Sequence, residues 1–230
     1  MPFVLTTNID GANLISSERL YIKLLMEKDD RKALLDLCRK NLENGYIKRY
    51  YGIPPENVNM DYIEEDIDSK ISDNKHHVSY LGNAYSYNYN RLFYVVKTKY
   101  GQIIGKLELT SCTDDNAEIG LFIGEDHNHL DYGREAILAI INFVKRFSNI
   151  TKIRWECNND HAESIALAKN CGFVYSHDQL VYAERITCVY YLTILQAIAT
   201  DSPDPIKIAM GAAKFVPIIA VFYFVYRLFN

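Results

Sequence analysis

The chain has 230 residues, of which 49% are hydrophobic, 13% aromatic and 23% charged, a balance that excludes a disordered tail, a collagen and a multi-span transporter. Lys and Arg number 25 against 29 Asp and Glu, a formal net charge of −4 with no dense basic block, which argues against nucleic acid as the partner. The length suits one domain of roughly 100–200 residues with an appendage.

Met1-Pro2-Phe3-Val4-Leu5 runs straight into polar Thr6-Thr7-Asn8, so no secretory leader is expected. Leu20–Leu25 reads as a strand, and Lys28–Asn41 as a helix in which Leu34, Leu35, Leu37 and Cys38 recur at helical spacing. A second helix is expected over Asp61–Ile71. The stretch Tyr80–Arg91 is rich in Tyr and Asn with few aliphatic residues, and reads as a long loop or an edge hairpin. Either a cleft lining or a solvated connection accounts for it.

Three strands follow, Leu92–Thr98, Ile103–Leu109 and Ala117–Ile123, separated by turn signals at Tyr100-Gly101 and Asp114-Asp115-Asn116; they form an antiparallel meander. Tyr132–Phe147 carries Ala136, Ile137, Ile140, Ile141, Val144 and Phe147 at three- and four-residue steps, an amphipathic helix. Then come a strand at Lys152–Cys157, a helix at Ala162–Asn170 stopped by Cys171-Gly172, and strands around Phe173–Ser176 and Tyr182–Leu195. This order implies a mixed α/β (α+β) sheet with helices on its faces.

Five cysteines (Cys38, Cys112, Cys157, Cys171, Cys188), widely spaced and without a CxxC pair, indicate a reducing compartment rather than a disulfide framework or a zinc ribbon. Six histidines are present, densest at Asp126-His127-Asn128-His129. A His-x-His in a polar loop is a weak metal signal, and no metal is expected.

Three runs in this order carry a resemblance: Ser17-Glu18-Arg19-Leu20-Tyr21-Ile22-Lys23-Leu24, Ala117-Glu118-Ile119-Gly120-Leu121-Phe122-Ile123, and Ser164-Ile165-Ala166-Leu167-Ala168-Lys169-Asn170-Cys171-Gly172-Phe173. With a long helix between the second and third, they resemble the Gcn5-related N-acetyltransferase (GNAT) superfamily, in its branch that acetylates ribosomal-protein N-termini and small amines. The resemblance covers about Ser17–Ile194. It implies a mostly antiparallel twisted sheet flanked by helices, acetyl-CoA as cofactor, and direct attack of an amine on the thioester.

Independently of the family, an open sheet of this kind places a ligand between strand Ala117–Ile123 and helix Tyr132–Phe147, where amides at a helix N-terminus attract anions. The resemblance assigns the pyrophosphate to that turn through a motif whose matching residues are Asn128, His129, Asp131 and Gly133, of which only Gly133 agrees with the family's pattern. Asp131 stands where glycine is usual and brings a Cβ and a negative charge, which oppose a bound diphosphate; Arg134 offsets the charge. The resemblance further implies Glu118 as the base, with an ion-paired strand glutamate as the alternative, backbone amides at Leu121 and Ile123 facing the pantetheine, and cofactor contacts at His161 and Ser164. The tyrosine that many members use as acid for the leaving thiolate is Ala168 here.

Composition shifts at Asp201-Ser202-Pro203-Asp204-Pro205, ahead of a run whose only charges are Lys207, Lys214 and Arg227. At 1.5 Å per residue, roughly 20 residues span about 30 Å of hydrocarbon, so Ile208–Tyr226 is long enough to cross a bilayer, with Lys214 and Pro217 as its interruptions. The expected layout is an N-terminal extension 1–16, a domain 17–200, a linker 201–205 and an anchoring hydrophobic helix 206–230, with the body on the cytosolic side. Burial of that helix against a partner protein is the alternative. The function expected is an acetyl-CoA-dependent N-acyltransferase acting on an amine, held at a membrane; the competing class is an inactive scaffold of the same fold serving assembly.

Overall fold

A computed structural model of the protein describes residues 14–51, 54–81, 91–111, 115–147, 150–181 and 185–194. The chain divides into two units, Met1–Leu195 and Gln196–Asn230, and the second, with the expected anchoring helix, lies outside the described residues. So do Cys112 and residues 82–90 of the Tyr/Asn-rich stretch.

In chain order the elements are β1 (Leu14–Ser16), β2 (Leu20–Leu24), α1 (Lys28–Glu43), α2 (Met60–Leu81), β3 (Arg91–Thr98), β4 (Ile103–Ser111), β5 (Asn116–Ile123), α3 (Tyr132–Phe147), β6 (Lys152–Asn158), α4 (Ala162–Asn170), β7 (Val174–Leu180) and β8 (Ile186–Thr193). The strands form one eight-stranded sheet in the order β1-β2-β3-β4-β5-β6-β8-β7. Every neighbouring pair is antiparallel except β5 and β6, which run parallel.

Strand alternation sorts the apolar residues onto two faces. Phe93 and Val95 of β3 pack with Leu34, Leu35 and Cys38 of α1 and with Ile63, Ile67 and Ile71 of α2. Their neighbours Tyr94 and Val96 join Ile22, Ile119, Ile153 and the α3 stripe Ala136, Ile137, Ile140, Ile141 and Val144 on the other face. α3 occupies the bounds its periodicity predicts.

Three expectations shift. The sheet begins ahead of Ser17, at β1, whose three residues are too few to show a period. β7 extends to Leu180 and is exposed along all seven residues, so this edge strand has no alternation to read, and β8 begins at Ile186. α2 continues to Leu81 instead of stopping at Ile71, taking in Tyr80 from the expected loop.

The reason for that length is Asn74, which continues the buried stripe Ile63, Ile67, Ile71 with a polar residue and so hides the helical period. Its side chain donates to the carbonyls of Leu25 (2.9 Å) and Phe93 (2.7 Å) and accepts from the Phe93 amide (3.0 Å), tying α2 to β3 and to the end of β2. Because a buried backbone group left unpaired costs about 1–3 kcal/mol, Asn74→Ala is expected to lower stability by roughly 2–5 kcal/mol, measured by chemical denaturation; a loss under about 0.5 kcal/mol removes this role.

Candidate active site

The parallel pair β5 and β6 holds together over three residue pairs only, Asn116 with Lys152, Ala117 with Ile153 and Glu118 with Arg154. Beyond that rung the strands part. The register identifies the groups left facing the gap. Gly124 donates to the Ile104 carbonyl at 2.8 Å, so the bonded pairs of the β4–β5 ladder include Phe122, Gly120 and Glu118. Since bonded and non-bonded pairs alternate in an antiparallel ladder, Ile119, Leu121 and Ile123 turn their N–H and C=O groups towards β6; the Ile119 amide closes the Glu118–Arg154 rung, and no strand pairs with Leu121 or Ile123 among the described residues. The amides expected to meet a ligand, at Leu121 and Ile123, therefore face an open gap.

That gap is the mouth of a cavity of about 450 Å³ lined by Glu118–Ile123 of β5, Trp155–Asn158 of β6, Tyr46, Arg49, Tyr50 and Tyr51 before α2, and Tyr62, Asp66 and Lys70 on α2. His161 and Ser164 stand on its β6 side. At Gly120 a Cβ would come within 3.3 Å of the Tyr50 hydroxyl.

The turn ahead of α3 borders this cleft without lining it. A 3-10 turn at Glu125–His127 leads into Asn128 and the exposed His129. His129 and Asp131 adopt φ of 61° and 62°, the left-handed region that favours glycine. The backbone thus keeps a glycine conformation at Asp131, and aspartate is among the few side chains that tolerate it. The Asp131 carbonyl accepts the first helical bond, from Glu135 at 3.1 Å, which leaves the amides of Tyr132, Gly133 and Arg134 without intrahelical acceptors. The Asp131 carboxylate is exposed and stands 3.6 Å from Arg134, so its charge is directed along the helix surface. Gly133 is required for packing: a Cβ there would meet Leu167 at 3.3 Å and Leu121 at 3.5 Å. Through Leu121 and Ile123, which line the cavity and flank Gly133, turn and cleft adjoin.

Glu118 sits on the last rung of the fork, its carboxylate bound to Arg154, which also binds Glu156 and, at 3.0 Å, Gln179. Burial alone would lower the Arg154 guanidinium, but the two carboxylates outweigh it and raise it above the ordinary value. Thr187 donates to Glu156 at 2.6 Å. On the far side, Ser164 accepts from the Trp155 indole at 3.1 Å, and burial lowers His161 although Glu163 lies 3.3 Å away. Ala168 is fully buried and supplies no proton donor.

A second charged group was not legible in the sequence. Lys70 binds Asp66 at 2.8 Å and also Glu108; Tyr50 donates to Glu108 at 3.0 Å; and Lys106, fully buried, donates to the Tyr51 hydroxyl at 2.8 Å and lies 3.6 Å from Asp66. Burial, with Lys70 adding to it, lowers the Lys106 ammonium, and burial pushes the Tyr50 and Tyr51 hydroxyls up, so both stay protonated. The available signal was the pair Lys106 and Glu108, two charges of opposite sign at strand spacing inside an apolar run. The four described cysteines pack as core residues, with Cys38, Cys171 and Cys188 pushed up to about 11 by burial. Among the described residues, no group of three or more His, Cys, Asp or Glu could hold a metal ion.

The GNAT acetyltransferase domain matches residues 19–174, and the chain belongs to that family. Solved structures similar to it include RimL, the ribosomal L7/L12 alpha-N-protein acetyltransferase, in complex with coenzyme A (15% identity, 79% of this chain and 98% of that one, TM-score 0.64). Two others are the microcin C7 self-immunity acetyltransferase MccE with acetyl-CoA and AMP (18%, 77% and 94%, TM-score 0.62) and the spermidine N-acetyltransferase of Vibrio cholerae with CoA and spermine (20%, 77% and 96%, TM-score 0.58). A search of curated protein sequences found no match.

The buried charge cluster yields a stability test. Lys70 bridges two carboxylates, whereas Lys106 reaches one at longer range. Removing one partner of a buried ion pair costs about 3–5 kcal/mol, so Lys70→Met is expected to lose that amount in chemical denaturation and Lys106→Met markedly less. Equal losses would show that the two ammonium groups share the load.

Proposed function

We propose that the protein transfers an acetyl group from acetyl-CoA to a primary amine in the cleft between β5 and β6. The observation that carries this reading is the fork itself, a cleft edged by the amides of Leu121 and Ile123 that runs to a turn of glycine conformation at the start of α3. The residues present fit the cofactor. The β5 edge offers alternating donors and acceptors to an amide-bearing chain, the three amides at Tyr132, Gly133 and Arg134, which have no intrahelical acceptor, suit a diphosphate, and the Asp131 carboxylate lies 3.6 Å from Arg134. The family, and neighbours solved with CoA or acetyl-CoA, support the same donor.

When bound, acetyl-CoA supplies a thioester with an electrophilic carbonyl carbon and a thiolate that leaves. The chain does the rest. Leu121 and Ile123 orient the acyl arm, and an amide on the β5 edge stabilises the negative charge that develops on the carbonyl oxygen. Glu118 accepts the proton that an ammonium must shed before it can attack, with Arg154 fixing the carboxylate in the fork. The acceptor amine enters from the side of Tyr50, Tyr62 and Glu108.

Titration of the intact protein with acetyl-CoA tests the reading. A ligand at 100 times its Kd adds about 2.7 kcal/mol of stability, so a clear rise in Tm is expected; no heat and no shift at millimolar acetyl-CoA would instead favour the inactive scaffold. Asp131→Asn keeps a residue tolerant of the left-handed conformation and removes the charge. It is expected to tighten acetyl-CoA about threefold or more in calorimetry, because like charges at 4–6 Å cost on the order of 1 kcal/mol in a wet site.

For the C-terminal run, the proposal is a membrane anchor formed by residues 206–230, with the acetyltransferase body on the cytosolic side. Its support is the apolar length of Ile208–Tyr226 in the sequence. Among the described residues no helix is long and apolar enough to cross a membrane. Deletion of residues 206–230 is expected to move the protein from the membrane fraction to the soluble fraction; a full-length chain that is already soluble and monomeric overturns the anchor.

A further inference from the structure

The first turn of α3 contains a carboxylate that the proposed chemistry does not use. Glu135 is 8% exposed and lies one helical turn after Asp131, behind the amides that would receive a diphosphate. An acid in the first turn suits the helix dipole, yet it has the same sign as the ligand. The turn between β1 and β2 holds it. Ser17 donates to one Glu135 oxygen at 2.6 Å, the Arg19 amide donates to the same oxygen at 2.7 Å, and the Arg19 Nε donates to the other at 2.7 Å. Burial alone would raise the Glu135 carboxyl, but these bonds outweigh it and hold it below the usual carboxylate range.

The same guanidinium reaches the turn. Its Nη1 donates to the Leu130 carbonyl at 3.0 Å, and it sits 4.6 Å from the centre of the Tyr132 ring. Leu130 lies between His129 and Asp131, which among the described residues are the two non-glycine residues in the left-handed region. A backbone held in a sparsely populated conformation persists only where surrounding contacts over-determine it, and Arg19 supplies such a contact between the strained residues.

We infer that Arg19 is a positioning residue for acetyl-CoA, holding the Leu130 carbonyl and neutralising Glu135 so that the α3 amides meet the diphosphate without an uncompensated buried charge behind them. The inference rests on the reading of the cleft given above. Arg19 is not itself one of the residues lining the cavity.

Calorimetric titration of acetyl-CoA into the full chain separates the two. If the wild-type protein binds no acetyl-CoA, the reading of the cleft fails and the inference with it. If it binds, Arg19→Ala is expected to weaken affinity about tenfold or more, a factor equivalent to 1.4 kcal/mol, and Arg19→Ala with Glu135→Gln to regain several-fold of that loss. Steady-state kinetics should show the same split, with KM for acetyl-CoA raised and kcat at saturation within about twofold of wild type. Wild-type affinity in Arg19→Ala, or a double variant as weak as the single one, overturns the inference. A purely structural ion pair predicts the second of these outcomes, because removing Glu135 would restore no contact. Should Arg19→Ala fail to fold, Arg19→Gln alone and combined with Glu135→Gln carries the same comparison.

Discussion

The structure turns on the separation of two parallel strands. Buried N–H and C=O groups must find partners, and an unpaired one costs about 1–3 kcal/mol. β5 satisfies one side through its full ladder with β4, but past the Glu118 rung, which the Ile119 amide closes, its other side meets no strand among the described residues. A sheet that closed there would have nowhere to take an extended ligand; one that opens keeps a standing demand for an amide-bearing chain or water. The last rung is also the place where Glu118 and Arg154 face one another, so the ion pair and the start of the fork coincide.

From that opening the two faces of the sheet take different work. On the α3 side the requirement is conformational: a left-handed turn, a glycine at the contact with Leu121 and Leu167, and amides free of helical acceptors. On the α1 and α2 side it is electrostatic. Four carboxylates line the cavity, and each is already bound to a lysine or arginine of the chain: Asp66 and Glu108 to Lys70, Glu118 and Glu156 to Arg154. The cleft is therefore charged, with every one of those carboxylates ion-paired, and its walls of Tyr46, Tyr50, Tyr51 and Tyr62 add rings around the pairs.

What the sequence made legible follows from how each feature is encoded. Helix α3 has an apolar stripe at helical spacing and was readable to the residue, and the meander strands, flanked by turn signals, were readable to within two residues at their ends. α2 was cut short because Asn74 is buried through hydrogen bonds, and periodicity counts only apolar burial. The turn before α3 and the residues Leu121, Ile123 and Gly133 came from short local runs and do adjoin in space. The Lys70, Lys106, Asp66, Glu108 cluster joins α2 to β4 across about forty positions of chain, a distance at which charge pairing leaves no pattern. Arg19 and Glu135, farther apart still, were hidden for the same reason.

Asp131 shows why residue identity and backbone state must be weighed separately. Read as letters, an acid in place of a glycine removes the phosphate turn. Glycine contributes two things there, freedom to take positive φ and the absence of a side chain. The first is retained, at φ of 62°, in one of the few side chains for which the left-handed region is accessible. The second is lost, but the carboxylate leaves along the helix to Arg134 while the amides of the first turn stay clear. The substitution therefore changes the charge beside the turn without changing the turn, while Arg19 binds both Glu135 and the Leu130 carbonyl between the two left-handed residues.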